Sequence, residues 1–305
     1  MRGRVIRGSR NIFTVKSDTG RETECRIKGK ILKGAEGLYN PLAPGDMVEF
    51  SEDPAVSGTG LITGLMERKN AYTRFNQKGQ ASQLLAANVD LVFCVTSPAS
   101  PPFRPRFLDR ALLQGDIAGI PSVIICNKSD LSEEDPDVEE RLEDFIRIGY
   151  PVLRVSAKTR EGLEELRTLL GGNISVLVGQ SGVGKSSLIN ALIPGLEIRT
   201  GGVNEKYDRG NHTTTQAQVY EMSGGGIIID TPGVRRLVPD GIGPQDIILY
   251  MKEFSPLAGK CSFGMSCSHE SEPGCKIMEA VHAGVIHEDR YESFLRIRDD
   301  LSGMR

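Results

Sequence analysis

No apolar run in this 305-residue chain approaches the roughly 20 residues that a membrane-spanning helix requires. The N-terminus, MRGRVIRGSR, is basic but leads into no apolar core, so it does not read as a secretory signal. These two absences point to the cytoplasm and to a protein with no membrane partner. Repeats of solenoid length and low-complexity tracts are also missing, which excludes a repeat array. None of the six cysteines sits in a plain C-x2-C pair. Cys25, Cys94 and Cys126 stand alone, the last two inside apolar runs, where a free thiol behaves as a small hydrophobe. Cys261, Cys267 and Cys275 cluster with His269. In a reducing compartment such a group reads as metal ligands rather than disulfides.

What remains is ordinary globular material, 39% hydrophobic and 25% charged, long enough for two or three domains. The net charge of −3 hides an asymmetry. The first 80 residues hold 14 of the 37 basic side chains but only 9 of the 40 acidic ones. A basic front end on an acidic body fits a polyanion contact made by one part of the molecule; a merely solvated basic surface is the alternative.

Residues 1–66 read as an all-β module. Short β-prone runs (NIFTV, ETECRI, DMVEF, GLITGL) are separated by turn-rich pieces such as SDTG and PLAPGD. Such strands suit a small barrel, an OB-fold first and an SH3-like barrel second. Residues 67–85 read as a basic linker. Arg68, Lys69, Arg74 and Lys78 alternate there with Tyr72 and Phe75, a pattern that grips phosphates and stacks on bases, or is simply exposed. From 86 to 238 apolar strands alternate with helical stretches, as in βα units around a mostly parallel sheet. The strands are VDLVFCVTS, Val123–Cys126, VLRVSA, ISVLVG, AQVYEM and GIIID, and helices fall at about 105–119, 133–148, 161–170 and 185–192. Residues 239–305 form a third region: a helical GPQDIILYMKEF, the Cys/His cluster, and amphipathic pieces at 277–286 and 289–301.

Gly179 to Ser187, GQSGVGKSS, matches G-x-x-x-x-G-K-[ST] in the required context, after an apolar strand and at the opening of a helix. Gly179, Gln180, Ser181, Gly182, Val183, Gly184, Lys185, Ser186 and Ser187 are therefore candidates for phosphate contact. The backbone N–H groups point inward, Lys185 reaches the β- and γ-phosphates, and the Ser186 hydroxyl suits Mg²⁺. In IIIDTPG, Asp230 ends an apolar strand where it can serve Mg²⁺, and the Gly233 N–H can meet the γ-phosphate. Between the two lies RTGGVNEKYDRGNHTTTQ, polar and without periodicity, the place of a switch. Thr214 is the preferred threonine to close on Mg²⁺ and γ-phosphate.

VIICNKSDL carries a base reader: Asn127 and Lys128 brace the loop, Ser129 lies within it, and Asp130 accepts from guanine N1–H and N2–H₂. Adenine lacks that donor pair, so the motif favours GTP over ATP. Ser156, Ala157 and Lys158 end the next strand, where the Ala157 N–H can serve guanine O6. An ordinary GTPase runs phosphate, switch, acid, base, base. This chain runs base, base, phosphate, switch, acid, so the cyclic order is kept and only the cut point has moved. The sensor at 230–233 consequently runs straight into the cysteine-bearing region.

The motifs NKSD, SAK, GQSGVGKSS, GNHTTT, DTPG and CSFGMSCSHESEPGC, together with AANVD (86–90) and FLDRALLQ (107–114), resemble the circularly permuted small ribosomal subunit biogenesis GTPases of the RsgA (YjeQ/YloQ) type over nearly the whole chain. The resemblance implies an α/β, circularly permuted P-loop GTPase domain (86–238), an N-terminal OB-fold that contacts rRNA (1–66), and a C-terminal helical zinc-binding domain (239–305). It implies GTP hydrolysis to GDP and phosphate during late maturation of the small subunit, stimulated by that subunit, by a monomer. Two departures stand out. The family spaces its cluster C-x4-C-x-H-x5-C, whereas five residues separate Cys261 from Cys267 here, and Asn211 replaces the usual arginine before His212.

Cys261, Cys267, His269 and Cys275 offer three thiolates and one imidazole, a closed tetrahedral set for one structural Zn²⁺ that leaves no position for a catalytic water. His282 and His287 read as ordinary. After D-T-P-G many GTPases carry a glutamine that orients the attacking water; Val234 stands there instead, which predicts slow intrinsic hydrolysis. His212 or the ribosomal partner is the candidate replacement, with His212 as a plain loop residue the alternative. Two other classes compete with this one. A metabolic P-loop kinase would need an acceptor pocket and lid, for which no motif is visible. A passive RNA scaffold is opposed by the intact Lys185, Ser186, Asp230 and Asp130.

Overall fold

The computed structural model describes residues 1–9, 11–29, 32–134, 136–198, 217–234 and 236–303. The switch segment, including Asn211, His212 and Thr214, lies outside the described residues.

The chain opens with β1 (Arg2–Ser9), β2 (Ile12–Ser17), β3 (Glu22–Ile27), β4 (Met47–Glu52) and β5 (Thr59–Leu65). They pair in the order β1-β2-β3-β5-β4, and β4 returns to β1, which closes the barrel. Only β3 and β5 run parallel. Alternation drives the closure: Thr23 and Cys25 point in while Glu22, Glu24 and Arg26 point out. Val5, Phe13, Val15, Val48, Phe50 and Ile62 fill the interior. This is the OB-fold alternative, and the closed ring leaves no unpaired edge.

Residues 67–85 are not a free linker. They carry β6 (Ala71–Asn76) and most of β7 (Ala81–Ala87), an antiparallel hairpin. Tyr72 is fully buried and its hydroxyl donates to the Ala111 carbonyl at 3.0 Å, so it cannot stack on a base. Arg68 is spent on buried Asp46 at 2.7 and 3.0 Å, and Arg74 on Gln83 at 3.0 Å. Their polar partners lie on other elements and leave no local pattern in the sequence.

The central sheet has the order β10-β9-β8-β11-β13-β12. Its strands are β8 (Leu91–Thr96), β9 (Ser122–Asn127), β10 (Val152–Val155), β11 (Ile174–Gly179), β12 (Gln218–Glu221) and β13 (Ile227–Asp230). All neighbours run parallel except β12 against β13. Helices α1 (Pro105–Ile117) and α2 (Pro136–Ile148) cover one face; α3 (Leu163–Leu170) and α4 (Lys185–Leu192) cover the other. This two-sided cover explains the unbroken apolar strands: in β8, Val92 and Cys94 serve one face, Phe93 and Val95 the other. The barrel joins this sheet at its β12 edge, through the single register pair Arg7↔Gln218 and a 2.6 Å Lys16–Glu221 ion pair.

The last region holds α5 (Ile247–Tyr250), α6 (Lys276–His282) and α7 (Glu288–Ser302). The helix expected over GPQDIILYMKEF shrinks to four residues, because Met251 turns to extended backbone and Met251 and Phe254 go into the core. At the seam with α1, Arg290 of α7 is buried at 1% exposure. It meets Asp109 at 2.7 Å and Glu253 at 2.6 and 3.0 Å, and the Ser293 hydroxyl also donates to Asp109. No helix among the described residues is long and apolar enough to cross a membrane.

Candidate functional site

The strand ends of the central sheet bring the dispersed motifs to one edge. β11 ends at Gly179 and the chain wraps through Gln180–Gly184 into α4. Gly184 has φ +94°, and a Cβ there would sit 2.2 Å from Asn127 Nδ2, so conformation and space both demand glycine. Val183 anchors the loop in the core. Lys185, the first residue of α4, is buried and donates from Nζ to the Gly179 and Gln180 carbonyls at 2.8 and 3.1 Å. Burial pushes it down from 10.5 to about 8, against the opposing field of Asp230. A phosphate entering the loop would replace those two carbonyls as the acceptor and add negative charge to that of Asp230.

The base reader, more than 50 residues upstream, is bolted to this loop. Asn127 Nδ2 donates to the Val183 carbonyl at 2.8 Å and Lys128 Nζ to the Gly182 carbonyl at 3.0 Å and to that of Ser100. Asn127 Oδ1 accepts from the Ala157 N–H at 3.2 Å, the contact for which guanine O6 would compete. The Ser156 hydroxyl donates to Asp130 Oδ1 at 2.7 Å, and this bond is the first cause that holds the Asp130 carboxyl below its usual range. Exposed Lys158 adds a 3.6 Å ion pair. Asp130 is thus an oriented, ionised acceptor, as guanine recognition requires. Ser129 opens the 3₁₀ turn that follows.

Asp230 ends β13 fully buried. Gly233 lies directly against the loop: a Cβ there would be 2.9 Å from the Ser181 nitrogen. Val234 is buried and donates its N–H to the Gly179 carbonyl at 3.3 Å, which makes it packing rather than chemistry. Ser186 and Asp230 are hard oxygen donors of the type Mg²⁺ takes. Ser187 is half-buried on α4, while Gln180 lines a separate cavity described below.

The second cluster lies in the last region. The ligand atoms of Cys261, Cys267, His269 and Cys275 fall within 4.8 Å of one another, and all four residues are buried. His269 Nδ1 stands 3.5 Å from the Cys261 sulfur and 3.4 Å from that of Cys275, and the two sulfurs are 4.0 Å apart. Those spacings and that donor set fit a tetrahedral thiophilic cation. The Lys276 N–H donates to the Cys261 sulfur at 3.3 Å, and the Tyr291 hydroxyl to the His269 carbonyl at 2.6 Å, which ties the knuckle to α7. A 3₁₀ turn, Gly264–Ser266, lies between Cys261 and Cys267, and Phe263 and Met265 are exposed beside and within it.

Comparison with known proteins matches this arrangement. The RsgA GTPase family profile covers residues 65–238, more than half of the chain. The chain belongs to the RsgA GTPase family. A small ribosomal subunit biogenesis GTPase RsgA from Bacteroides fragilis is 36% identical over 98% of this chain and 97% of its own. Its counterpart from Gemmatimonas aurantiaca is 38% identical over 99% and 97%. YjeQ from Thermotoga maritima superposes with a TM-score of 0.72 at 35% identity, covering 100% of this chain and 99% of that one. YloQ, titled a circularly permuted GTPase, gives 0.68 at 26%, covering 100% and 96%. This RsgA-family chain is accordingly a GTP-hydrolysing enzyme on a circularly permuted fold, and the permutation inferred from motif order stands.

Sequence reasoning missed the polar residues that hold the site's surroundings. Gln114, buried on α1, accepts from the Asp240 N–H at 2.7 Å and donates to Thr73 at 3.2 Å, so it ties the segment after Gly233 to the hairpin. Phe75 N–H adds a bond to the Val238 carbonyl at 3.0 Å. No local pattern marks such residues; only FLDRALLQ, which contains Asp109 and Gln114, pointed toward them.

Proposed function

We propose that this chain binds the small ribosomal subunit and hydrolyses GTP during late maturation of that subunit, and that the subunit stimulates turnover. The observation that carries the reading is the bridge from Asn127 and Lys128 to the Val183 and Gly182 carbonyls, which joins the base-reading and phosphate-loop motifs of a permuted chain. The names of the relatives support the ribosomal part. In this reading residues 1–66 contact rRNA, 67–85 connect, 86–238 hydrolyse GTP, and 239–305 bind zinc through Cys261, Cys267, His269 and Cys275. Lys185 and the backbone of 179–187 hold the phosphates, while Asp130, Asn127, Lys128, Ser129 and the 156–158 turn hold guanine. Ser186, Asp230 and Thr214 hold the Mg²⁺ that accompanies GTP and offsets phosphate charge. The protein works as a cytoplasmic monomer.

Val234 offers no polar group to the attacking water, so intrinsic turnover is slow. His212 or the subunit supplies the missing orientation. The decisive measurement is GTP hydrolysis with and without purified small subunits, with Lys185→Ala as the blank. Strong stimulation is expected. Unchanged slow turnover would remove the ribosomal partner and leave only the nucleotide chemistry. A His212→Ala chain that keeps the full stimulated rate would take His212 out of the mechanism.

A further inference from the structure

A cavity of about 390 Å³ opens where the start of α1, Gln180 of the phosphate loop, the segment after Gly233 and α7 meet. That volume lies in the range of small-ligand sites. Of the residues assigned to GTP, only Gln180 lines it. One wall is aromatic and apolar, with Phe103 and Phe107. The other carries Arg104, Arg106, Arg110 and Arg236.

The charge around the cavity does not balance. Arg106 pairs with Glu292 at 2.5 Å, but Glu292 is shared with Arg296 at 3.6 Å. Arg110 and Arg236 divide a single carboxylate, Asp300, at 2.7 and 2.6 Å. Asp289, the acid that lines the cavity, is engaged by Arg141 at 3.5 Å. Arg104 is exposed and has no carboxylate partner among the described residues. A concave surface with surplus guanidinium charge concentrates anions, and the guanidinium fork matches phosphate oxygens. An adjacent phenylalanine pair suits the flat face of a base.

We propose that this cavity is a second nucleotide-sized site, which seats a phosphate against Arg104 and its neighbouring arginines and a planar ring against Phe103 and Phe107. A free nucleotide and an unpaired nucleotide of an RNA strand present the same chemistry. The site goes beyond the GTP site and does not depend on the ribosomal reading.

The test uses the full chain saturated with GDP and Mg²⁺, so that the first site is filled. Calorimetry then follows uridine monophosphate, uridine, and a uridine-rich hexanucleotide, on wild type, Arg104→Ala and Phe103→Ala. Unchanged GTP turnover certifies that the variants are folded. Saturable binding of the monophosphate, weakened about tenfold by either substitution and by loss of the phosphate, is expected if free nucleotide is the source; a charge-assisted bond to phosphate is worth about that much. Hexanucleotide binding that falls by a similar factor in both variants, with the monophosphate silent, assigns the site to an RNA strand. Binding of either probe that ignores both substitutions, or no binding of any probe, overturns the proposal.

Discussion

The nucleotide site and the cysteine knuckle are both buried polar constellations, but they are held in opposite ways. The phosphate loop stands on a sheet packed on both faces, and it satisfies its own groups: Lys185 donates to two loop carbonyls and Asn127 braces a third. The knuckle stands on 3₁₀ turns and a seven-residue helix; its four ligand atoms lie within 4.8 Å of one another, and its cysteines pack into the apolar cluster of Phe254, Ile277 and Phe294. The first site is made by its scaffold. The second helps to make its scaffold, because without a metal three sulfurs and an imidazole offer each other only weak hydrogen bonds.

The sharpest way to break this contrast is to remove the zinc proposed for the knuckle. Chelation, or Cys275→Ser, is expected to unfold the region from about 255 to 285, since structural zinc contributes on the order of 10 kcal/mol to small metal-held folds. Hydrogen exchange should show that loss, while GDP affinity holds within a few-fold. Equal loss of protection in β11 and α4 would mean that the two sites share one cooperative unit.

Next in size is the seam between the regions. Arg290→Ala leaves Asp109 and Glu253 buried without their cation, and breaking a buried pair this way costs about 3–5 kcal/mol. Arg290→Ala should therefore lower the denaturant midpoint strongly. A loss below about 1 kcal/mol would show that water reaches the seam. Arg290→Met with Asp109→Leu, which removes charge from both sides, is expected to recover part of the loss.

These two examples also mark what the sequence can and cannot disclose. The chemistry-bearing motifs are local: NKSD, SAK, GQSGVGKSS and DTPG each sit at a strand end, and each carries its own spacing. They were legible, and their order disclosed the permutation. The three-part architecture followed from changes in periodicity. Residues 67–85, which hold most of the hairpin, read as a basic linker because charged side chains mask the alternation: Arg68 pairs with Asp46 of the barrel, and Arg74 with Gln83 across the hairpin. Arg290 lies in the amphipathic piece at 289–301, and nothing local marks it as buried; its acids stand 181 and 37 residues away. A polar pair formed across the fold leaves no period in the sequence, whereas an apolar face does.

Within the nucleotide site, Lys185→Ala is expected to lower GTP turnover by about 10²–10³, the usual loss when one preorganised charge facing the reacting group is removed. Its effect on the fold should be opposite in sign to that of Arg290→Ala. Lys185 is a buried cation whose desolvation works against folding, so the nucleotide-free variant should unfold no sooner than wild type. A clear destabilisation would show that its bonds to Gly179 and Gln180 outweigh that cost.

The smallest effect is a pH profile, and it isolates the same lysine. In the nucleotide-free protein burial holds Lys185 near 8 instead of 10.5. Phosphates in the loop restore the charged form, so above about pH 8 binding must take up a proton. GDP affinity should be flat below that point and fall toward tenfold per pH unit above it. Folding stability runs the other way. Between about 8 and 10.5 the unfolded chain holds this proton more tightly than the folded one, so the contribution of Lys185 to nucleotide-free stability rises with pH through that window. Lys185→Arg separates this proton from that of guanine itself, because a guanidinium stays charged throughout. The difference between wild-type and Lys185→Arg profiles from about pH 7 to about pH 9 is the quantity to measure. Parallel profiles would mean that the loop keeps Lys185 charged without nucleotide, and that its two carbonyl bonds offset the burial in full.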